Sequence, residues 1–292
     1  MANILAVGIA TLDIINSVDG YPNEDDEVRA ISQRLCRGGN ATNSLSLLSQ
    51  LGHQCHWAGV LADEPDARHI EADLKKHQID TAAVLRLAKG KVPTSYITHN
   101  LANGSRTIVH HRDLPEYPFI QFQQIDLSQF DWLHFEGRNV AETRQMLAWA
   151  KQHAPELPRS VEIEKLRDDI EELFELADVL LFSRAFAQAQ EHADARSLLK
   201  ARQAQCGSAK LICAWGEAGA WALNGKQELH SPAFPPPLLV DTLGAGDTFN
   251  AGIIDSLVRG LDLDAALKSA CRLAGQKCGH QGLDFLALKG DE

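Results

Sequence analysis

Five short, mostly apolar runs recur along the chain: "NILAVGI" (3–9), "WLHFE" (132–136), "SVEIE" (160–164), "VLLF" (179–182) and "LICAW" (211–215). A strand with one face in water alternates polar and apolar residues. Runs like these are instead suited to burial on both faces, as in a parallel sheet covered by helices. The segments between them have helical period. "NATNSLSLLSQLG" repeats apolar residues at Ala41, Leu45, Leu48 and Leu51, with Asn40 placed as N-cap and Gly52 as the stop. "LRDDIEELFELA" does the same at Leu166, Ile170, Leu173 and Ala177, with its acids on the solvent side. Strand and helix in alternation predict an α/β fold, a doubly wound and mostly parallel sheet. Residues 14–36 and 92–112 break this rhythm. Both read as hairpins with polar turns, and an antiparallel flap outside the main sheet accounts for them.

Bulk properties narrow the function classes. The 292 residues hold 28 basic and 39 acidic side chains, a net charge of −11. Such a surface repels nucleic acid and anionic membrane, so any anionic ligand needs a local site. No apolar run approaches the length of a membrane span. "ILAVGIA" has no basic residue before it and is followed by Asp13, so it reads as a buried first strand rather than a leader. The six cysteines form no C-x-x-C pair and the twelve histidines no H-E-x-x-H, which argues against a zinc site. Free thiols and a cytoplasmic setting are expected.

One turn carries the chemistry. In "DTLGAGDTFNAG" (241–252), "LLVDT" reads as a strand end and residues 247–259 as a helix closed by Gly260. The small residues Gly244, Ala245 and Gly246 therefore sit at a helix start, where bare backbone N–H groups and the helix dipole favour an anion such as phosphate. A carboxylate at Asp247 would repel that ligand unless it accepts a proton from an attacking hydroxyl. The plainer reading is a glycine turn with Asp247 capping the helix. A Walker A loop is ruled out, because G-x-x-x-x-G-K-[ST] is absent. Other polar elements fall at strand ends or helix starts: "RGGNATN" (37–43), Asp13, "EGRN" (136–139) and "WGEAG" (215–219). Asparagine both donates and accepts, which suits sugar hydroxyls.

"VDTLGAGDTFNAG" and "RGGNATNSLSLLSQLG" resemble the two signatures of the ribokinase-like, phosphofructokinase-B-type carbohydrate kinases. "YPNEDDEVRAISQRLCRGGNATNS", "WLHFEGRN", "CAWGEAGA" and "CRLAGQKCGHQG" are collinear with the ketohexokinase (fructokinase) branch. The resemblance spans about residues 4 to 285. It implies a single domain over 1–292, a ribokinase-like three-layer α/β/α sandwich with a small β-sheet lid at 14–36 and 92–112. It also implies transfer of the γ-phosphoryl of ATP to a ketohexose, D-fructose giving fructose 1-phosphate, with Mg2+ required, K+ stimulating, and a homodimer through interlocking lids.

By the same resemblance Asp247 would be the base, and Gly244, Ala245 and Gly246 the anion hole. Asp13, Gly39, Asn40 and Asn43 would hold the sugar, and Asp25 would enter the partner subunit's sugar site. Arg106 would reach the phosphates. Gly216, Glu217, Ala218 and Gly219 would line the nucleotide site, with Phe234, Pro235, Pro236, Cys271 and Gly275 around the adenine. The family's N-x-x-E is replaced here by "SRAF" (183–186), which leaves the metal-ordering acids unassigned, with Glu162 and Glu164 as candidates. Two readings remain beside this one: a family kinase for another acceptor (fructose 6-phosphotransfer, ribose, tagatose or a nucleoside), and a non-catalytic sugar-binding regulator.

Overall fold

The strand-length apolar runs become the buried centre of an eight-stranded sheet. The computed structural model describes residues 1–286, so the end of the expected domain, 287–292, lies outside the described residues. In chain order the strands are β1 Asn3–Val7, β2 Thr11–Val18, β3 Ser32–Gly38, β4 Gln54–Ala58, β5 Val60–Ala62, β6 Leu85–Leu87 and β7 Thr94–Asn100. They continue as β8 Arg106–His111, β9 Trp132–Glu136, β10 Arg159–Ile163, β11 Val179–Phe182, β12 Lys210–Ala214, β13 Ala220–Asn224 and β14 Gln227–Ser231. The helices are α1 Asn40–Gln50, α2 Ala67–Lys76, α3 Phe119–Phe122, α4 Val140–His153, α5 Arg184–Ala189, α6 Ala195–Arg202, α7 Ala245–Val258 and α8 Leu263–Cys278.

The main sheet runs β14-β13-β12-β11-β10-β9-β1-β4. It is parallel from β4 to β12, with β13 and β14 added antiparallel at one edge. Every residue of β9, β10 and β11 is buried, which requires cover on both faces. The result is the three-layer sandwich with a mostly parallel sheet that alternation predicts. Among the described residues no helix is long and apolar enough to cross a membrane.

The two irregular stretches meet in a separate sheet of order β3-β2-β7-β8. β2 pairs antiparallel with β3 and parallel with β7, and β7 pairs antiparallel with β8. Register sorts its residues by face. Cys36, Asp13, Ser95 and His110 are cross-strand neighbours on one face, whereas Leu35, Ile14, Tyr96 and Val109 form a row on the other.

Four expectations need correction. The flap is mixed rather than antiparallel, because its two hairpins join through the parallel pair β2 and β7. Residues 238–242 are irregular rather than a strand end, and Leu238, Leu239 and Val240 are exposed. The preceding run of prolines cannot donate to a ladder, and the segment is tied instead by the Val240 and Asp241 amides to the Cys278 carbonyl. "LRDDIEELFELA" forms a 3-10 helix over Ile170–Leu176, not an α-helix from Leu166; Asp169 in the left-handed region (φ 60) starts it late. Asn40 is the first residue of α1, and Gly39 (φ 101) occupies the N-cap without a side-chain hydrogen bond.

Candidate active site

The C-terminal ends of the parallel strands, the second sheet and the start of α7 surround a cavity of about 810 Å3. Ligands of open α/β sheets bind at this edge. Asp13, Gly39, Asn40, Asn43, Arg106, Glu162, Glu164, Gly244, Gly246 and Asp247 all line it. Residues spread over 234 positions of sequence are thus brought to one chamber by the topology.

Gly244 is the N-cap of α7 with φ 79, a left-handed conformation that a Cβ would strain, and an added Cβ would meet Leu283 at 2.9 Å. The Thr242 carbonyl takes the Ala245 amide at 3.2 Å, and Asp241 Oδ1 takes the Leu243 amide at 2.8 Å. The amides of Gly244 and Gly246 have no acceptor among the described residues. They, rather than Ala245, supply free donors; Ala245 does not line the cavity. A Cβ on Gly246 would meet nothing within 4 Å, so the absent side chain leaves open space on the cavity wall. Behind the turn the wholly buried Lys277 donates from Nζ to the Asp241 carbonyl at 2.7 Å and the His280 carbonyl at 3.3 Å, and its ammonium lies 3.3 Å from Asp241 Oδ2.

Asp247 is buried in the first turn of α7, and it does not cap the helix, whose N-cap is Gly244. Its Oδ2 accepts from Asn43 Nδ2 at 2.7 Å. Burial pushes its carboxyl up to about 6; the Asn43 bond opposes that rise, while the charge of Glu164 adds to it. Two further acids lie close by. Glu162, at the end of β10, accepts from Asn250 Nδ2 at 3.0 Å and is held well above the usual carboxylate range by burial and then by the charge of Asp247. Glu136, at the end of β9, takes the Ala41 amide at 2.7 Å and the Ile9 amide at 3.3 Å, and burial pushes it up to about 7. On β2, Asp13 Oδ1 accepts from Thr11 Oγ1 at 2.8 Å, and burial raises its carboxyl against that bond.

Not every sequence candidate lies in this chamber. Gly216, Glu217 and Ala218 form a 3-10 turn after β12, and Gly219 (φ 88) packs against the Ser231 carbonyl. Cys271 Sγ lies 4.0 Å from that same carbonyl. Gly275 approaches the Phe234 carbonyl so closely that a Cβ could not fit, and the Arg272 guanidinium sits 5.0 Å above the Phe234 ring. These residues, with Pro235 and Pro236, form a second group beside the main cavity and outside its lining. The two groups adjoin at Arg184, which follows the cavity-lining Ser183 and comes within 3.9 Å of a Cβ on Gly216. Asp25 is exposed in the hairpin between β2 and β3 and does not line the cavity of its own chain.

Sequence reasoning assigned no role to Arg37, Glu136 or Asn250. Glu136 stands at the end of a parallel strand, and its position was a readable signal. Arg37 opens "RGGN", but nothing in its spacing shows that its side chain turns inward. An N-x-x-E does occur elsewhere in the chain, at Asn139–Glu142, where Asn139 is the N-cap of α4 and Glu142 takes the Phe119 amide at 2.5 Å.

Residues 1–289 match the family described as pfkB family carbohydrate kinase. Ketohexokinase of Mus musculus is 43% identical over 290 residues, covering 96% of this chain and 97% of that protein. A putative ribokinase from Agrobacterium tumefaciens superimposes with a TM-score of 0.84 at 20% identity, covering 96% of this chain and 92% of the other. Ribokinase from Cryptococcus neoformans var. grubii, solved in complex with ADP, gives 0.77 at 18% identity, with coverage of 97% and 95%.

Proposed function

Because the chain belongs to the pfkB family of carbohydrate kinases, we propose that it transfers the γ-phosphoryl group of ATP to a ketohexose, D-fructose giving fructose 1-phosphate. The observation that carries this reading is the pairing at the start of α7: two free amides, Gly244 and Gly246, beside a buried carboxylate, Asp247, in one cavity. In this mechanism Asp13 and Asn43, with the Gly39–Asn40 turn, hold the sugar so that its hydroxyl faces Asp247. Asp247 accepts the hydroxyl proton as the oxygen attacks in line. The Gly244 and Gly246 amides and the positive end of α7 stabilise charge on the transferring group without reorganising. Arg106 reaches over from β8 to the phosphates. The second group, from Gly216–Gly219 to Phe234–Pro236, Cys271 and Gly275, takes the nucleotide.

Glu162, whose ionised form a nearby cation would favour, and Glu164 would offer hard carboxylate oxygens at the cavity, a donor set that suits Mg2+ carried on phosphates with its waters. Among the described residues no three acid, His or Cys groups converge to bind an ion directly. Mg2+ bound there would neutralise phosphate charge; stimulation by K+ rests on the family resemblance alone. The four-stranded sheet acts as the lid of a single kinase domain, excluding water as it closes. Its outward row of Leu35, Ile14, Tyr96 and Val109 supports a homodimer built lid to lid, with Asp25 entering the partner's site. A cytoplasmic setting belongs to the same reading, and six free cysteines fit a reducing compartment.

The test is a coupled ADP-release assay over fructose, tagatose, ribose, fructose 6-phosphate and a nucleoside, with NMR of the product. Fructose-dependent ADP and a phosphate on the 1-hydroxyl are expected. Preference for another acceptor would make this a different family kinase, and binding without ADP release would make it a regulator.

A further inference from the structure

Asn43 is expected to hold the sugar, yet both ends of its side chain are engaged within the protein. Its Oδ1 accepts from Arg37 Nη1 at 2.7 Å, and its Nδ2 donates to Asp247 Oδ2 at 2.7 Å. The chemistry of the partners sets this polarity. A guanidinium has donors only, so the amide atom facing Arg37 must be the oxygen, and the NH2 is left facing Asp247. An NH2 pairs well with an ionised carboxylate and poorly with a protonated oxygen, which has its own hydrogen to place.

Arg37 is itself held rigidly. Its residue is buried at the end of β3, Nη1 also reaches Thr42 Oγ1 at 3.0 Å, and Nε pairs with Asp73 of α2. Asp73 Oδ2 lies 3.5 Å from His77 Nδ1, and His77 Nε2 meets Asp284 Oδ1 at 2.6 Å. A continuous chain of polar contacts thus runs from the segment after α8, through α2 and β3, to the carboxylate on α7.

We infer that Arg37 is a positioning residue for the transfer: by fixing the orientation of the Asn43 amide, it keeps the Asp247 carboxylate ionised and turned toward the acceptor hydroxyl. The inference rests on the reading of Asp247 as base. Other charged groups bear on Asp247 as well: Glu162 of β10 and Glu164 just after it, Asp13 from β2, and Glu136 from β9 through Glu162. All are acidic and disfavour its ionisation; the positive end of α7, in whose first turn Asp247 sits, and the Arg37–Asn43 arm oppose them.

The experiment is the pH profile of kcat and of kcat/KM for fructose, with saturating MgATP, in wild type, Arg37→Met, Arg37→Lys and Asp73→Asn, each checked for thermal unfolding. Arg37→Met should move the acid limb upward by about half a pH unit or more. Asp73→Asn, which removes the counter-charge and leaves Arg37 in place, should move it downward. Arg37→Lys should return the limb toward wild type while kcat stays low. Asp73→Asn does not depend on the folding of Arg37→Met and tests the idea by itself. A limb unmoved in folded Arg37→Met or Asp73→Asn, with kcat lowered equally at all pH values, would reduce Arg37 to a structural residue and overturn the inference. An Asp247→Asn enzyme with near-normal turnover would instead remove the base reading, and the inference with it.

Discussion

At the scale of single residues, Asp247 carries two opposed demands. Burial raises its carboxyl to about 6, so the ionised form that the proposed proton abstraction requires is held at a cost in stability. Between the ordinary aspartate value and about 6 the folded state binds this proton more tightly than the unfolded chain. The cost is therefore absent in acid and develops as pH rises through that window. Activity has the opposite sense and should fall as pH drops through about 6, measurable as the acid limb of kcat/KM. Asp247→Asn should lose about 100-fold or more in kcat while retaining ATP binding, and its thermal midpoint at neutral pH should be no lower than wild type. A large loss of stability in that variant would contradict the burial argument. "GAGD" made Asp247 legible as a candidate, but its hydrogen bond to Asn43 joins positions 204 apart, and no local pattern records such a contact.

At the scale of the element, the N-terminal turn of α7 separates two glycines that look alike in sequence. Gly244→Ala places a Cβ in a left-handed conformation and against Leu283, so stability should fall by roughly 1–2 kcal/mol. Gly246→Ala meets open space at an ordinary φ. It should fold as wild type and weaken the phosphate site, raising KM for ATP or lowering kcat about tenfold. Denaturant unfolding with steady-state kinetics on both variants separates the two roles. The turn is also held from behind, by Lys277 on α8. Lys277→Met removes a buried ammonium from Asp241 and should cost about 3 kcal/mol, read by the same unfolding experiment. The helix-forming period of α7 and its small first residues were visible in the sequence. That the preceding segment is an irregular strap rather than a strand was not, because its apolar residues Leu238, Leu239 and Val240 imitate a strand while remaining exposed.

At the scale of the whole molecule, the four-stranded sheet has two surfaces of different character. The cavity side bears Asp13, Ser95 and His110, and the other side leaves Tyr96 47% and Val109 66% exposed. An apolar row on a sheet face is a liability unless covered. The double substitution Tyr96→Glu, Val109→Glu should therefore shift the protein from dimer to monomer in light scattering after size exclusion, and lower activity if Asp25 completes the partner's site. A monomeric wild type would remove the lid-to-lid arrangement.

The architecture itself was determined by the chain's local patterning. Continuous apolar runs cannot be solvated, so they must form a sheet covered on both faces, and helical periods between them supply the cover. What only the tertiary structure decided is the direction in which polar side chains point once those elements pack. That Asn43 at the cavity wall bridges Arg37 and Asp247, and that the Ala245 amide is bound to Thr242 rather than free, depends on hydrogen bonding and backbone geometry that the packed elements set. A periodicity records which residues are buried, and it says nothing about their partners.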